Sequence, residues 1–151
     1  MIRRFANAFH GMARALHTSI SLRIHFSMAL FVLLFGLLGR LETWAWVACF
    51  VCFGVMMGAE MCNCALEKLA DRVSRERDDK IRDCKDMAAG GVLMASLCSV
   101  AVGLVVFLRR SVLARIWAAL CAGPYGWVAL GALLLLSAMF IAGQRQRTLR
   151  K

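Results

Sequence analysis

Four long apolar stretches constrain this chain more than any other feature. They run at about Ile24 to Gly39, Trp44 to Leu66, Met87 to Leu108 and Trp127 to Gly143, and each approaches the roughly 20 residues that a helix needs to cross a membrane. Because 61% of the 151 residues are hydrophobic, the chain is too apolar for a soluble domain of this length. Backbone groups cannot stay unpaired in lipid, and the alternating pattern of a barrel is missing. The sequence therefore predicts an all-α, polytopic membrane protein.

The basic residues follow the predicted topology. If the N-terminus is cytoplasmic, fifteen of the nineteen Lys and Arg residues fall in cytoplasmic segments, and four fall outside, namely Arg40, Arg109, Arg110 and Arg115. This asymmetry satisfies the positive-inside rule and predicts that both termini are cytoplasmic. Orientation and attraction to anionic headgroups account for the net charge of +10. We therefore expect no nucleic-acid partner.

Residues 1–20 form an amphipathic pattern before the first apolar stretch. Phe5, Phe9, Met12 and Leu16 recur at spacings of four, three and four, so they share one face of a helix. The arginines and histidines in this segment interrupt any apolar core, and a small-residue cleavage site is missing, which argues against a cleavable signal peptide. The pattern predicts a helix that lies on the membrane surface.

A polar stripe follows the second apolar stretch toward its predicted cytoplasmic end. Glu60, Asn63, Glu67 and Asp71 are spaced by three, four and four residues, so they fall within roughly 80° of one another on a helix. Ionisable residues in a transmembrane segment are rare, and they face protein or water rather than lipid. The stripe is therefore our first candidate for a functional site.

A highly charged segment joins the second and third stretches. Seven basic and seven acidic side chains lie between Glu67 and Asp86, both ends included. For Arg75 to Arg82, a solvated loop with salt bridges is sufficient explanation. Lys85 and Asp86 open the third apolar stretch, where we expect Asp86 to accept hydrogen bonds from free N–H groups at the helix start. Lys85 is suited to reach a phosphate as a point charge.

These groups together suggest phosphoryl transfer at the membrane surface. Such chemistry needs carboxylates for Mg²⁺, a lysine for nucleotide phosphates and a carboxylate that takes a hydroxyl proton. The sequence contains no GxxxxGK[ST] and no GxGxxG motif, which disfavours a Walker-type ATPase. Its seven cysteines form neither a disulfide framework nor zinc-ligand spacing.

At these residues the sequence resembles the small bacterial integral-membrane diacylglycerol kinases and their undecaprenol kinase relatives. The resemblance covers about residues 5–108, and its elements keep the family's spacing without gaps. The E-x-x-N-x-A-x-E-x-x-x-D element is carried by Glu60, Asn63, Ala65, Glu67 and Asp71. Three shorter elements are carried by Ala8, Gly11 and Met12, by Arg23, Ile24 and His25, and by the run from Cys84 through Lys85 and Asp86 to Val92.

The resemblance implies a role for each matching residue. Glu60 would be the general base that accepts the proton of a lipid hydroxyl during attack on the γ-phosphate of ATP. Glu67 would bind Mg²⁺, and Asn63, Glu67, Lys85 and Asp86 would form the ATP site. Glu76, Arg77 and Asp78 occupy loop positions where the family contacts ATP, although these side chains do not follow a familiar pattern. The resemblance also implies a homotrimer in the bacterial inner membrane.

One departure from the family pattern concerns the metal. Seven residues after Met12 the family carries a second metal-binding glutamate, and this chain has Ser19 there. Mg²⁺ keeps several waters and can be held by one carboxylate with ATP phosphates, so we expect weakened metal or ATP affinity. Asp71, one turn beyond Glu67, is a candidate second ligand.

A second departure is an addition at the C-terminus. We divide the chain into a kinase-like membrane domain at 1–108 and an extension at 109–151, which adds the fourth transmembrane helix and a basic cytoplasmic tail. Pro124, with Gly123 and Gly126, marks the turn before the fourth helix. The sequence suggests no function for this extension.

The lipid substrate stays open between a diacylglycerol and undecaprenol. His25 resembles the undecaprenol kinase branch, although it is also explained as an interfacial histidine. A non-enzymatic membrane scaffold descended from the kinases would keep the same helices without needing Glu60. A transporter is disfavoured because the polar stripe lies near one membrane face and no inverted repeat is evident.

Overall fold

A computed structural model describes residues 2–73 and 78–148 of the chain, with side chains for residues 3–73 and 78–143. These residues form six helices and no strand, which confirms the all-α prediction. The helices are α1 (Ile2–Thr18), α2 (Ile20–Leu38), α3 (Thr43–Val73), α4 (Asp79–Phe107), α5 (Arg110–Cys121) and α6 (Pro124–Thr148).

Four of the helices are long and apolar enough to cross a membrane, as the sequence predicts. They are α2, α3, α4 and the part of α6 from Pro124 to Gly143. Gly36 lies inside α2 without interrupting it. A Cβ atom on Gly36 would stand 2.6 Å from Cη2 of Trp46, so the glycine lets α2 and α3 approach closely.

Helix α1 confirms the predicted amphipathic helix before the first span. Phe5, Phe9 and Met12 are exposed along it. At its end the chain turns at Ser19, whose hydroxyl oxygen accepts a hydrogen bond from the Leu22 N–H at 3.2 Å. Ser19 therefore caps the start of α2, as serine is well suited to do.

The start of α4 differs from the prediction. The helix begins at Asp79, where Asp78 caps it by accepting a 2.9 Å hydrogen bond from the Lys80 N–H. Asp86 lies inside the helix, so the expectation that it caps the helix start was wrong. Mean hydropathy indicates where a helix enters the lipid, whereas the cap at Asp78 marks where the backbone becomes helical.

Helices α3 and α4 form the most extensive pair in the bundle, and α2 packs against α3 and α6. Met56 on α3 and Ala95 on α4 are buried, and the Ser96 hydroxyl donates to the Met56 sulfur at 3.4 Å. All seven cysteines are free, and Cys64 is the buried one among them.

Helix α5 was not predicted as a separate element. It packs Val112 and Ile116 against Gly39, where an added Cβ would stand 2.8 Å from Val112 Cγ1. The adjacent Arg40 adopts a left-handed φ of 48° in the turn after α2. We call this end, with the α2–α3 turn and α5, the Glu42 end, and the opposite end, with α1 and the polar stripe, the Glu60 end.

Candidate functional site

The polar stripe on α3 runs from the interior of the bundle to its surface. Glu60 and Asn63 are buried, with 4% and 8% of their surface exposed, whereas Glu67 and Asp71 are exposed. All four lie on the same unbroken helix, so the stripe is continuous. A ligand at the surface end can thus contact the outer residues while a group entering the bundle reaches Glu60.

Glu60 is a buried carboxyl group with little support from the fold. Among the described residues, its hydrogen-bond partner is the Cys64 thiol, with Sγ 4.0 Å from Oε1. A thiol is a weak donor, and none of the ion pairs within the described ranges includes Glu60. Buried carboxyl groups are normally paired or well hydrogen-bonded, so the Glu60 carboxyl group keeps unused hydrogen-bonding capacity for a ligand.

Asn63 lies one turn from Glu60 and is only half satisfied. Its Nδ2 group donates to Glu67 Oε1 at 3.1 Å, but its Oδ1 atom is buried and has no hydrogen-bond partner among the side chains that the structure describes. A buried acceptor without a partner costs about 1–3 kcal/mol. The arrangement is therefore suited to a donor or a cation supplied by a ligand.

A lysine of α4 closes the outer part of the stripe. Lys85 Nζ lies 2.5 Å from Asp71 Oδ1, and its side chain is about two-thirds buried. Asp86, the next residue, is exposed. The predicted nucleotide-contacting residues of α3 and α4 thus lie at one end of the bundle, where Asp71 pairs with Lys85. Glu76 and Arg77 lie outside the described residues.

Helix α1 reaches the same region through its last turn. The Lys68 ammonium group donates to the Thr18 hydroxyl oxygen at 2.7 Å, and Lys68 directly follows Glu67 in the sequence. Ser19, the position at which the family metal ligand was expected, is next to this contact and caps α2. Its hydroxyl therefore has a structural use in this chain.

The oxygen donors of the stripe fit Mg²⁺ only together with groups from a ligand or water. Within the described ranges, no three His, Cys, Asp or Glu side chains form a group that could hold a metal by themselves. Glu67 offers an exposed carboxylate, and Mg²⁺ is often bound by one or two carboxylates plus waters and substrate phosphates. The Asn63 Oδ1 atom is a further oxygen without a partner among the described residues. The site thus fits a metal that arrives with a nucleotide.

An apolar groove of about 290 Å³ lies between α2, α3 and α4. On α3 it extends from Trp46 to Met56, and Met56 is about one turn from Glu60. His25 and Ser99 are its polar lining residues. The sequence gives no signal for this groove, because its lining residues look like ordinary lipid-facing side chains. Nor does it show that Arg23, a residue of one family element, is buried between three helices.

Comparison with known proteins agrees with the geometry. Residues 6–107 match the family described as prokaryotic diacylglycerol kinase. A curated undecaprenol kinase of Bacillus subtilis (strain 168) is 29% identical over 106 residues, which cover 70% of this chain and 86% of that protein. No solved structure matches the chain. The family match ends before α5 and α6.

Proposed function

Because the chain belongs to the prokaryotic diacylglycerol kinase family, we propose that it transfers the γ-phosphate of ATP to the hydroxyl group of a membrane lipid. The observation that carries this proposal is Glu60, a carboxyl group 4% exposed with only a thiol 4.0 Å away as partner among the described residues. A buried carboxyl group with so weak a partner adds little to the stability of the fold. In a reaction that transfers a proton, the same group can serve as the proton acceptor.

In the proposed reaction, Glu60 accepts the proton of the lipid hydroxyl. The hydroxyl oxygen forms a bond to the γ-phosphorus, the bond between that phosphorus and the β–γ bridging oxygen breaks, and ADP leaves with the bridging oxygen. The buried position of Glu60 on α3 keeps bulk water from competing with the lipid hydroxyl for the phosphoryl group.

The outer residues of the stripe bind the nucleotide in this proposal. Glu67 and the Asn63 Oδ1 atom would hold Mg²⁺, and the metal would supply charge neutralisation on the phosphate oxygens when bound. In the structure, Lys85 Nζ lies 2.5 Å from Asp71 Oδ1. When the nucleotide binds, Lys85 exchanges this ion pair for one with the phosphates. Asp86 contacts the nucleotide as well, and Asp71 is the candidate second ligand of the metal.

We propose undecaprenol as the first candidate substrate and diacylglycerol as the second. The Bacillus subtilis relative is an undecaprenol kinase, and His25 lines the apolar groove. This groove would hold the part of the lipid chain next to the hydroxyl, because it ends near Glu60 and opens between membrane-spanning helices. Apolar lining is what a hydrocarbon chain requires.

We also propose a homotrimer in the bacterial inner membrane with both termini cytoplasmic. The distribution of the basic residues supports this orientation, with fifteen of nineteen on the predicted cytoplasmic side. ATP is then available at the Glu60 end. The trimer is inferred from the family resemblance, as is the lipid-recycling role of the reaction in the cell envelope.

Ser19 favours a second candidate function, a non-enzymatic membrane scaffold. Its hydroxyl caps α2, and a carboxylate at that position would be needed for the full metal site expected of the family. A scaffold would keep the helices and the topology without using Glu60.

One assay separates the two candidates. The purified protein in mixed micelles receives Mg²⁺, labelled ATP and either undecaprenol or diacylglycerol, with Glu60→Gln as the control variant. We expect label on undecaprenol that is lost in the variant. Label on diacylglycerol alone would change the substrate, and no label on either lipid across a broad Mg²⁺ range would favour the scaffold.

A further inference from the structure

Arg23 is a buried arginine that joins three helices. It lies in the first turns of α2 with 6% of its surface exposed. Its Nε–H group donates to the Leu16 carbonyl oxygen of α1 at 2.7 Å, and one terminal nitrogen donates to the Phe140 carbonyl oxygen of α6 at 2.5 Å. The guanidinium carbon also lies 4.8 Å from the centre of the Phe140 ring.

The burial of Arg23 is unusual because the arginine has no counter-charge among the described side chains. None of the ion pairs among residues 3–73 and 78–143 includes Arg23, and a buried charge without a partner is costly. Two main-chain carbonyls and an aromatic face replace the carboxylate. One carbonyl and the ring belong to α6, so α6 supplies much of what holds Arg23.

The segment that Arg23 holds is the elbow between α1 and α2, residues 16–23. This elbow contains Thr18, which accepts a hydrogen bond from Lys68 beside Glu67, and Ser19, which caps α2. A shift of the elbow would therefore move α1 relative to the outer part of the polar stripe. Helix α6 contacts α2, but none of the site residues lies on it.

We propose that α6, acting through Arg23, is a positioning element that fixes the α1–α2 elbow against α3 and so shapes the nucleotide end of the site. Arg23 is a positioning residue rather than a catalytic one. The effect on activity rests on the proposed function, whereas the effect on the elbow does not. A fixed elbow keeps α1 in one position beside Lys68 and Glu67 for the incoming nucleotide, through the hydrogen bond from Lys68 to Thr18.

The chain offers a matched control for this proposal at the opposite end. Arg115 of α5 also donates to two main-chain carbonyls, those of Gly39 at 3.4 Å and Arg40 at 3.2 Å. Arg23→Met and Arg115→Met each remove one guanidinium group that joins helices. Because Arg115 is exposed and Arg23 is buried, the Tm of each variant is measured together with its kinetics. A loss of activity that only follows a fall in Tm, or that is equal in both variants, would indicate a general loss of stability. A displaced elbow should instead raise the KM for Mg·ATP in Arg23→Met alone.

The kinetic test measures the KM for Mg·ATP and kcat in the full-length variants with the lipid that the protein phosphorylates. We expect Arg23→Met to raise this KM about tenfold, because small displacements of a binding group have large effects, with a smaller change in kcat. Arg23→Lys should recover part of the loss, since one ammonium group can reach one carbonyl. Equal kinetic effects of Arg23→Met and Arg115→Met would overturn the proposal.

The structural test does not depend on kinase activity. Spin labels are placed at Ala13→Cys on α1 and Leu69→Cys on α3, both exposed, in a chain whose seven cysteines are replaced. We expect Arg23→Met to broaden the distance distribution between the labels, and Phe140→Leu, which removes the ring of α6, to broaden it less. An unchanged distance distribution in Arg23→Met would refute the proposal that Arg23 fixes the elbow. A broadened one in a protein that phosphorylates neither lipid would refute the proposed function and leave the elbow standing.

Discussion

The two ends of the bundle carry similar polar residues but use them differently. At the Glu42 end, Glu42 accepts a hydrogen bond from the Trp44 indole at 2.6 Å and pairs with Arg109 at 3.2 Å. Arg109 also lies over the Trp44 ring at 5.5 Å. At the Glu60 end, Glu60 has a thiol as partner among the described residues, and Asn63 Oδ1 has none.

This difference shows how to separate structural from functional polar groups in a small membrane protein. At the Glu42 end, the polar groups satisfy one another and tie the α2–α3 turn to the start of α5. At the Glu60 end, buried hydrogen-bonding capacity stays unused, which a fold selected for stability alone would avoid. Between these two ends, unused hydrogen-bonding capacity rather than charge is the difference. It is not confined to the candidate site, because the buried Ser137 hydroxyl of α6 also has no partner among the described residues.

The largest expected effect separates the two glutamates. Glu60→Gln should lower kcat for lipid phosphorylation by about 100-fold to 10,000-fold, because it removes the proton acceptor and keeps the shape. Glu42→Gln is the matched control, and it should leave kcat within about twofold, since a change at a remote surface charge has small effects. Comparable losses in both variants would contradict the division between the two ends.

A substitution at Asn63 should separate activity from stability. Asn63→Leu removes the unpartnered Oδ1 atom. Because a buried acceptor without a partner costs about 1–3 kcal/mol of folding free energy, we expect the Tm in detergent to stay the same or rise. Activity with Mg·ATP should fall about tenfold or more, because a metal or phosphate contact is lost. A clear fall in Tm would mean that Asn63 serves the fold.

An intermediate effect is expected at Ser19. Ser19→Glu returns a carboxylate to the position where the resemblance predicts one, and it should lower the Mg²⁺ concentration needed for half-maximal transfer at fixed ATP. Ser19→Ala, which removes only the cap of α2, should reduce stability by about 1 kcal/mol and leave the Mg²⁺ requirement unchanged. The same Mg²⁺ requirement in wild type and Ser19→Glu would count against a metal role at this position.

The smallest effect concerns pH at the Glu42 end. Hydrogen bonds from Trp44 and Arg109 lower the pKa of the Glu42 carboxyl group below its ordinary value of 4.5. A lowered pKa in the folded state contributes stability above the unfolded pKa and loses it as the pH falls through the folded value. The Tm difference between wild type and Glu42→Gln should thus be present at neutral pH and shrink below pH 4.5. A difference that grew with acid would have the wrong sign.

The sequence predicts much of the fold because lipid leaves few alternatives. Residue patterns identified the four membrane-spanning helices and the amphipathic α1, since hydropathy and helical period are local properties. They failed at the start of α4, where Asp78 rather than Asp86 forms the cap. They also missed α5, a 12-residue helix too short to stand out from a polar connection by hydropathy alone.

The candidate site was only partly predictable. Spacing on one helix placed Glu60, Asn63, Glu67 and Asp71 on one face, and the structure bears this out. The pairing of Lys85 with Asp71 joins two helices, so helical periodicity could not give it. The sequence also could not show which polar groups lack a hydrogen-bond partner, because the hydrogen bonding of a buried polar atom depends on all of its neighbours in space.

By itself, the sequence determined the class of the protein, the number of spans and the residues available for chemistry, because each depends on local composition and on the period of a helix. The tertiary structure decided which polar groups meet. It placed Arg23 against Phe140, which is 117 residues away in the chain, and it left Glu60 and Asn63 with capacity for a ligand. Packing of distant segments sets these partners, and that packing has no signal in neighbouring residues.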